Sequence, residues 1–181
     1  MFNTFKDLRI NWMPSLAGLL TVVVMSVITV ITYPPSGEWL WLVVILLVIS
    51  VVAFIFDPKT EAPLWLRLGY LTLLSALVNL LPMLGATFTA VYVFNFVISA
   101  QAASLLSRRL ALLWVLILTL FSLGNLIRLT NDFSVAIPQS IALAAGFFAI
   151  ASFMIASKEA DAARTHSQHL LEELQRSHAQ L

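Results

Sequence analysis

Residues 147–181, FFAIASFMIASKEADAARTHSQHLLEELQRSHAQL, join an apolar segment to a charged one without a single Gly or Pro. Up to Ile155 the residues are apolar or small, and from there on Ala, Glu, Gln, Leu and Arg dominate. These residue types favour helix, and Gly and Pro are the usual helix breakers. The stretch therefore predicts one continuous helix that begins in a membrane and ends in water.

The rest of the chain is unusually apolar. Of its 181 residues 60% are hydrophobic and only 10% are charged, whereas soluble domains are about half apolar and a quarter charged. The chain has no cysteine, which excludes a disulfide framework, a thiolate metal site and a cysteine nucleophile. The net charge of +1 is uninformative as a total. We expect no nucleic-acid partner, no metal and no cofactor.

Six runs have the length of about 20 mostly apolar residues that a membrane-spanning helix needs. The sequence therefore predicts an all-α integral membrane protein. Its three parts are an N-terminal segment at 1–11, a six-helix transmembrane domain at 12–155 and a cytoplasmic coiled-coil linker at 156–181. The first run is interpreted as a retained span, because it is long and ends without a small-x-small cleavage site. The predicted spans are 12–32, 39–56, 64–81, 87–106, 110–127 and 133–155.

The positive charges predict the orientation. In a six-span chain all the Lys and Arg residues except Arg128 fall on one side of the membrane. Because positive residues concentrate in cytoplasmic loops, we expect both termini in the cytoplasm, in a multi-pass protein of the bacterial inner membrane. The pair Arg108 and Arg109 is interpreted as a topology signal, with contact to anionic lipid heads as the alternative. The residues on the shared side are Lys6, Arg9, Lys59, Arg67, Arg108, Arg109, Lys158, Arg164 and Arg176.

Polar residues inside the predicted spans are the candidate functional residues, because each is costly in hydrocarbon unless it has a partner. They can form interhelical hydrogen bonds or line a ligand or stimulus pocket. No Asp, Glu, Lys or His lies deep in a span, which argues against a proton-coupled transporter. The candidate cluster comprises Asn79, Tyr92, Asn95, Ser99, Gln101, Ser122, Asn125, Arg128 and Gln139.

The C-terminal segment carries a 3–4 spacing typical of a coiled-coil seam. We expect two copies to pair in parallel along it, although a solvated helix that frays is the alternative. His166 and His169 share a helical face, and solvated surface is preferred to a metal or pH site for them. The candidate seam comprises Ala163, Ser167, Leu170, Leu174 and Leu181.

The final phrase SQHLLEELQRSHAQL, residues 167–181, resembles the linker of bacterial sensor histidine kinases that have a multispan membrane domain. That resemblance implies a following helical hairpin with a phosphoacceptor His, an ATP-binding domain and a response regulator as partner. These residues contain no His-Asp/Glu dipeptide, no Gly-rich ATP lid and no Asn-rich nucleotide motif. We therefore expect the input half of a signalling protein, a membrane sensor and anchor without its kinase core.

Three other interpretations stay open. Similar linkers precede diguanylate cyclase domains, so the output need not be a kinase. A small transporter or channel subunit needs a polar or charged pathway, and the predicted spans contain few residues that could form one. A membrane scaffold that recruits partners through its coiled coil needs no output domain.

Overall fold

The computed structural model describes residues 4–32, 39–55, 58, 62–85 and 88–179. These residues form six α-helices and one short 3-10 helix, with no strand among them. The prediction of an all-α chain is confirmed. In chain order the helices are α1 (Thr4–Thr32), α2 (Leu40–Ile55), α3 (Leu64–Leu80), a 3-10 helix (Leu81–Leu84), α4 (Phe88–Leu105), α5 (Arg108–Thr130) and α6 (Phe133–Ala179).

Three helical segments are long and apolar enough to cross a membrane. Their bounds are Leu64–Leu84, Arg108–Thr130 and Phe133–Ser177. The three other apolar segments are shorter in the described part of the chain, at Gly18–Thr32, Leu40–Ile55 and Ala90–Leu105. This set of helices indicates a membrane-associated protein.

The turn between α5 and α6 is encoded by a few local residues. Asn131 adopts a left-handed conformation with φ of 49°, and its backbone N–H donates to Ile127 O at 2.9 Å, which closes α5. Asp132 then accepts hydrogen bonds from the Ser134 hydroxyl at 2.7 Å and the Ser134 N–H at 2.8 Å. These bonds hold the pKa of the Asp132 carboxyl below its usual range. The carboxylate thus caps the first turn of α6.

Helix α4 is the centre of the bundle. It packs against α1, α3, α5 and α6, while α2 lies against α1 and α3. Small residues let several neighbours approach it closely, because Ala90, Ser99, Ala102 and Ala103 are all buried. A helix buried on many sides needs no amphipathic pattern, which explains why α4 shows none in sequence.

Helix α6 contains 47 residues and consists of two different halves. Its first half buries Ala136, Ser140, Phe147 and Ala151 against the bundle, at spacings that place them on one face. The described side chains from 156 to 177 are all exposed. The helix crosses the predicted boundary at 155/156 without a break and, at 1.5 Å per residue, extends about 32 Å beyond Lys158.

The contact between α4 and α6 depends on a glycine. A Cβ added at Gly146 would lie 2.6 Å from Phe96 Cε1. The Phe96 ring also packs edge-on against Phe147, with centroids 4.8 Å apart and planes at 70°. The ring therefore fills the space above Gly146 and is held there from the side.

We expect Gly146→Ala to lower the free energy of unfolding by about 1–3 kcal/mol, since overpacking displaces the Phe96 ring. Chemical denaturation in detergent micelles, followed by circular dichroism, measures the change. Phe96→Leu in the Gly146→Ala background should recover part of the loss.

Gly124→Ala is the matched control, because an added Cβ there meets no neighbouring atom within 4 Å. This change should leave stability unchanged or raise it by up to about 1 kcal/mol, through better helix propensity. Equal losses in the two glycine variants would contradict the packing account.

Candidate functional site

Three buried asparagines from three helices meet inside the bundle. Asn79 of α3 donates through Nδ2 to Asn95 Oδ1 of α4 at 3.5 Å. Asn125 of α5 donates through Nδ2 to Asn79 Oδ1 at 3.3 Å. Asn95 Nδ2 in turn donates to Ser122 Oγ of α5 at 3.4 Å. We call Asn79, Asn95, Ser122 and Asn125 the amide network; it joins α3, α4 and α5.

Helical periodicity explains how each polar group reaches this point. On α3, Asn79 follows the buried Leu71, Leu74, Ser75 and Val78 at spacings that keep one face turned inward. On α5, Ser122 and Asn125 lie three residues apart and so share a face. The network is therefore a polar patch on helix faces that are otherwise apolar.

The bonds inside the amide network differ in strength. Asn79 Nδ2 also donates to the Ser75 backbone carbonyl of its own helix at 2.8 Å, which is close to ideal. The bonds between helices, at 3.3–3.5 Å, lie at the long limit for N–H···O contacts. The hydroxyl of Ser75 is buried and has no hydrogen-bond partner among the described residues. Asn79 is thus fixed to α3, while its links to α4 and α5 are weaker.

The amide network contains no ionisable group. Amides and hydroxyls donate and accept hydrogen bonds, but they do not serve as general acids or bases near neutral pH. The arrangement can hold helices together or recognise a hydrogen-bonding group. Among the residues that the structure describes, no cluster of His, Asp or Glu suits a metal ion.

A second polar feature lies at the C-terminal end of α4. Arg67 of α3 donates through Nη1 to Leu105 O, and Lys158 of α6 donates through Nζ to Ser104 O at 3.1 Å. The last carbonyls of a helix lack partners within the helix and form the negative end of its dipole. We call these two contacts the α4 clamp. They tie α3 and α6 to α4 at the level where α6 becomes exposed.

The candidate residues divide into several groups in the structure. Asn79, Asn95, Ser122 and Asn125 come together, and the buried Ser99 donates to Asn95 O at 2.7 Å. Gln101 is also buried, but it forms a separate pair in which its Nε2 donates to Tyr70 Oη at 3.1 Å. Tyr92 is half-buried, one turn before Asn95.

The structure does not bring two of the candidates into the amide network. Gln139 and Arg128 are exposed in the structure. The buried face of α6 passes through Ala136 and Ser140, so the intervening Gln139 points away from the bundle. Arg128 lies in the last turn of α5, where a cation can reach water.

Four of the five seam candidates, including Leu170 and Leu174, are exposed on the second half of α6, whereas Leu181 lies outside the described residues.

Four polar residues that form the contacts described above were not among the candidates: Tyr70, Ser75, Arg67 and Lys158. Ser75 could have been found from sequence, because it lies one turn before Asn79. The roles of the two cations depend on contacts between helices that are distant in sequence.

Comparison with protein-family models, curated proteins and solved structures finds no match to this chain.

We expect Asn79→Leu to lower the free energy of unfolding by about 1–2 kcal/mol, because it removes two interhelical bonds of the size measured in membranes. Asn125→Leu, which removes one such bond, should cost less. Denaturation in micelles provides the measurement. The Asn79→Leu/Asn95→Leu double variant should lose less than the sum of the single variants, because the two residues share a bond.

Gln139→Leu is the control, since it removes an amide that is exposed on α6. It should leave the stability of the bundle nearly unchanged. If Asn79→Leu and Gln139→Leu behaved alike, the amide network would have no role in holding α3, α4 and α5 together.

Proposed function

We propose that this chain is the membrane sensor and anchor of a two-component sensor histidine kinase. In this proposal six helices span the bacterial inner membrane, with both termini in the cytoplasm. A stimulus changes helix packing in the bundle, and α6 carries the change to a kinase core that phosphorylates a response regulator. The resemblance of residues 167–181 to kinase linkers suggests this class of output.

The observation that carries the proposal is the continuity of α6. One helix without a break is packed into the bundle in its first half, and its described side chains from 156 to 177 are exposed. Any rotation, tilt or shift imposed on the first half is therefore transmitted to the second. Helix shifts of about 1–2 Å are an established way of switching proteins.

The structure offers a short path from the amide network to α6. Asn95 and Phe96 are consecutive residues of α4 that face different neighbours. Asn95 bonds to α3 and α5, while Phe96 packs on Gly146 and Phe147 of α6. A movement of α4 that changes the long amide bonds must also move the Phe96 ring. Weak bonds from α4 to α3 and α5 allow α4 to move, and its tight packing against α6 passes that movement on to α6.

The charges support the proposed orientation. Through the α4 clamp, the start of α3, the end of α4 and residue 158 of α6 lie at one end of the bundle. Arg108 and Arg109, at the start of α5, belong to the same end. Arg128 lies near the other end of α5. Under the positive-inside rule the clamp end faces the cytoplasm.

The outward face of α6 supports a dimer. Ala142, Ala145, Ala149 and Ser152 are exposed on the side opposite the buried Phe147. Large exposed side chains of α6, Ile141 and Phe153, lie on either side of these small residues. Small residues in a membrane helix allow close approach of a second helix. In a straight helix this face continues into the seam at Ala163, Ser167, Leu170 and Leu174.

The dimer can be tested with single cysteines, since the chain has none of its own. Under mild oxidation in native membranes, Leu170→Cys and Leu174→Cys should crosslink between chains. Glu172→Cys and Arg176→Cys lie on the opposite face and should not. Uniform crosslinking would indicate a mobile tail, and crosslinking at 172 and 176 alone would place the seam on the other face.

The signalling role can be tested by joining residue 179 in helical register to a histidine-kinase core and measuring autophosphorylation. One to seven alanines are inserted after Arg164, in the exposed half of α6. Each residue turns the downstream helix by about 100°, so activity should vary with the insertion and return at seven, the length of a heptad. A scaffold that only tethers its partner would give the same activity for every insertion length.

A further inference from the structure

A groove runs between the start of α5 and α6, at the level where α6 leaves the bundle. Its walls are apolar or small, formed by Leu112 of α5 and by Ser152, Ile155 and Ala156 of α6. Arg108 and Glu159 stand at its mouth. The groove therefore has an apolar interior and a charged entrance, and it lies at the same end of the bundle as the α4 clamp.

The cations around this groove are not equivalent. Arg67 and Lys158 are engaged with carbonyls of α4. Arg108 and Arg109 are exposed, and neither has an ion-pair partner among the residues whose side chains the structure describes. Arg108 lines the groove, and a guanidinium group there is well suited to bind a phosphate, because its donors match the phosphate oxygens in pairs. Arg109, the next residue of α5, adds positive charge near the same end of the helix.

We propose that the groove binds an anionic phospholipid. Arg108 binds the phosphate of the headgroup, Arg109 adds to the positive charge that attracts it, and the start of an acyl chain lies against Leu112 and Ile155. The charge is complementary, and the order of groups along the groove follows that of a lipid, with the phosphate outside and the hydrocarbon inside. A soluble anion would not bury the apolar walls, and a lipid without net charge would not be attracted to the arginines.

Glu159 lowers the affinity of this site for a phosphate. Its carboxylate lines the same groove as Arg108 and repels a phosphate, but the two arginines carry more charge than the one carboxylate. Ile155 and Glu159 lie on the α5 side of α6, and the groove also reaches Ser152 and Ala156 on the outward face. A lipid bound here touches α6 where it leaves the membrane. Its binding does not require that the output be a kinase.

The test is native mass spectrometry of the full chain released from micelles, titrated with phosphatidylglycerol or with phosphatidylcholine of the same acyl chains. Wild type should retain one phosphatidylglycerol in preference to phosphatidylcholine. Arg108→Gln/Arg109→Gln should weaken that binding about 25-fold, at about fivefold per arginine. Arg164→Gln/Arg176→Gln removes equal charge from the exposed half of α6 and should leave binding unchanged.

Two further variants separate the site from a general loss of charge or fold. Glu159→Gln should tighten phosphatidylglycerol binding, which a damaged fold does not do. Leu112→Trp keeps both arginines and fills the groove, so it should abolish the preference for phosphatidylglycerol. Circular dichroism checks that each variant remains helical.

Three outcomes would overturn the proposal. The first is equal retention of the two lipids, and the second is equal loss in the two arginine pairs. The third is competition by inorganic phosphate as effective as that by phosphatidylglycerol, which would mean that the apolar walls contribute nothing. None of these results bears on the alanine insertions in α6, so the lipid site and the signalling role can fail separately.

Discussion

An amide buried in a membrane bundle must find its hydrogen bonds within the protein, and this constraint organises the present fold. Asn79 meets it by bonding to its own helix and to two others. In doing so it links α3, α4 and α5 through directional bonds, although the bonds between helices are long. Apolar packing determines how closely the helices approach one another. The amide network adds directional contacts to that packing.

The central place of α4 follows from the same constraint together with its small residues. One face of α4 carries Asn95 toward α3 and α5, and the next residue, Phe96, reaches α6. Polar specificity and aromatic packing are thus adjacent along one helix. At the end of α4 the carbonyls of Ser104 and Leu105 receive Lys158 and Arg67. Helix α6 is therefore held at two levels, by Phe96 inside the bundle and by Lys158 where α6 leaves the bundle.

Much of the helical architecture could be predicted from sequence, because long apolar runs end at groups that hydrocarbon does not accept. The unbroken α6 followed from the absence of Gly and Pro after Phe147. Most of the amide network could be named, because every amide in an apolar run needs a partner. Which amides point inward could not be predicted. Asn79 and Gln139 look alike in sequence, since apolar residues surround both, and only the packing of α6 shows that Gln139 faces outward. The pairing of Gln101 with Tyr70 likewise depends on how two helices are aligned.

The distribution of the amide network along the chain has a consequence for biogenesis. Asn79 and its partner Asn125 are 46 residues apart, which at about 5–20 residues per second is roughly 2–9 s of translation. During that interval α3 and α4 have been synthesised, but the amide and hydroxyl that complete their bonds have not. If all three helices enter the membrane, neither α3 nor α4 satisfies its polar side chains there alone. We therefore expect α3, α4 and α5 to enter it together.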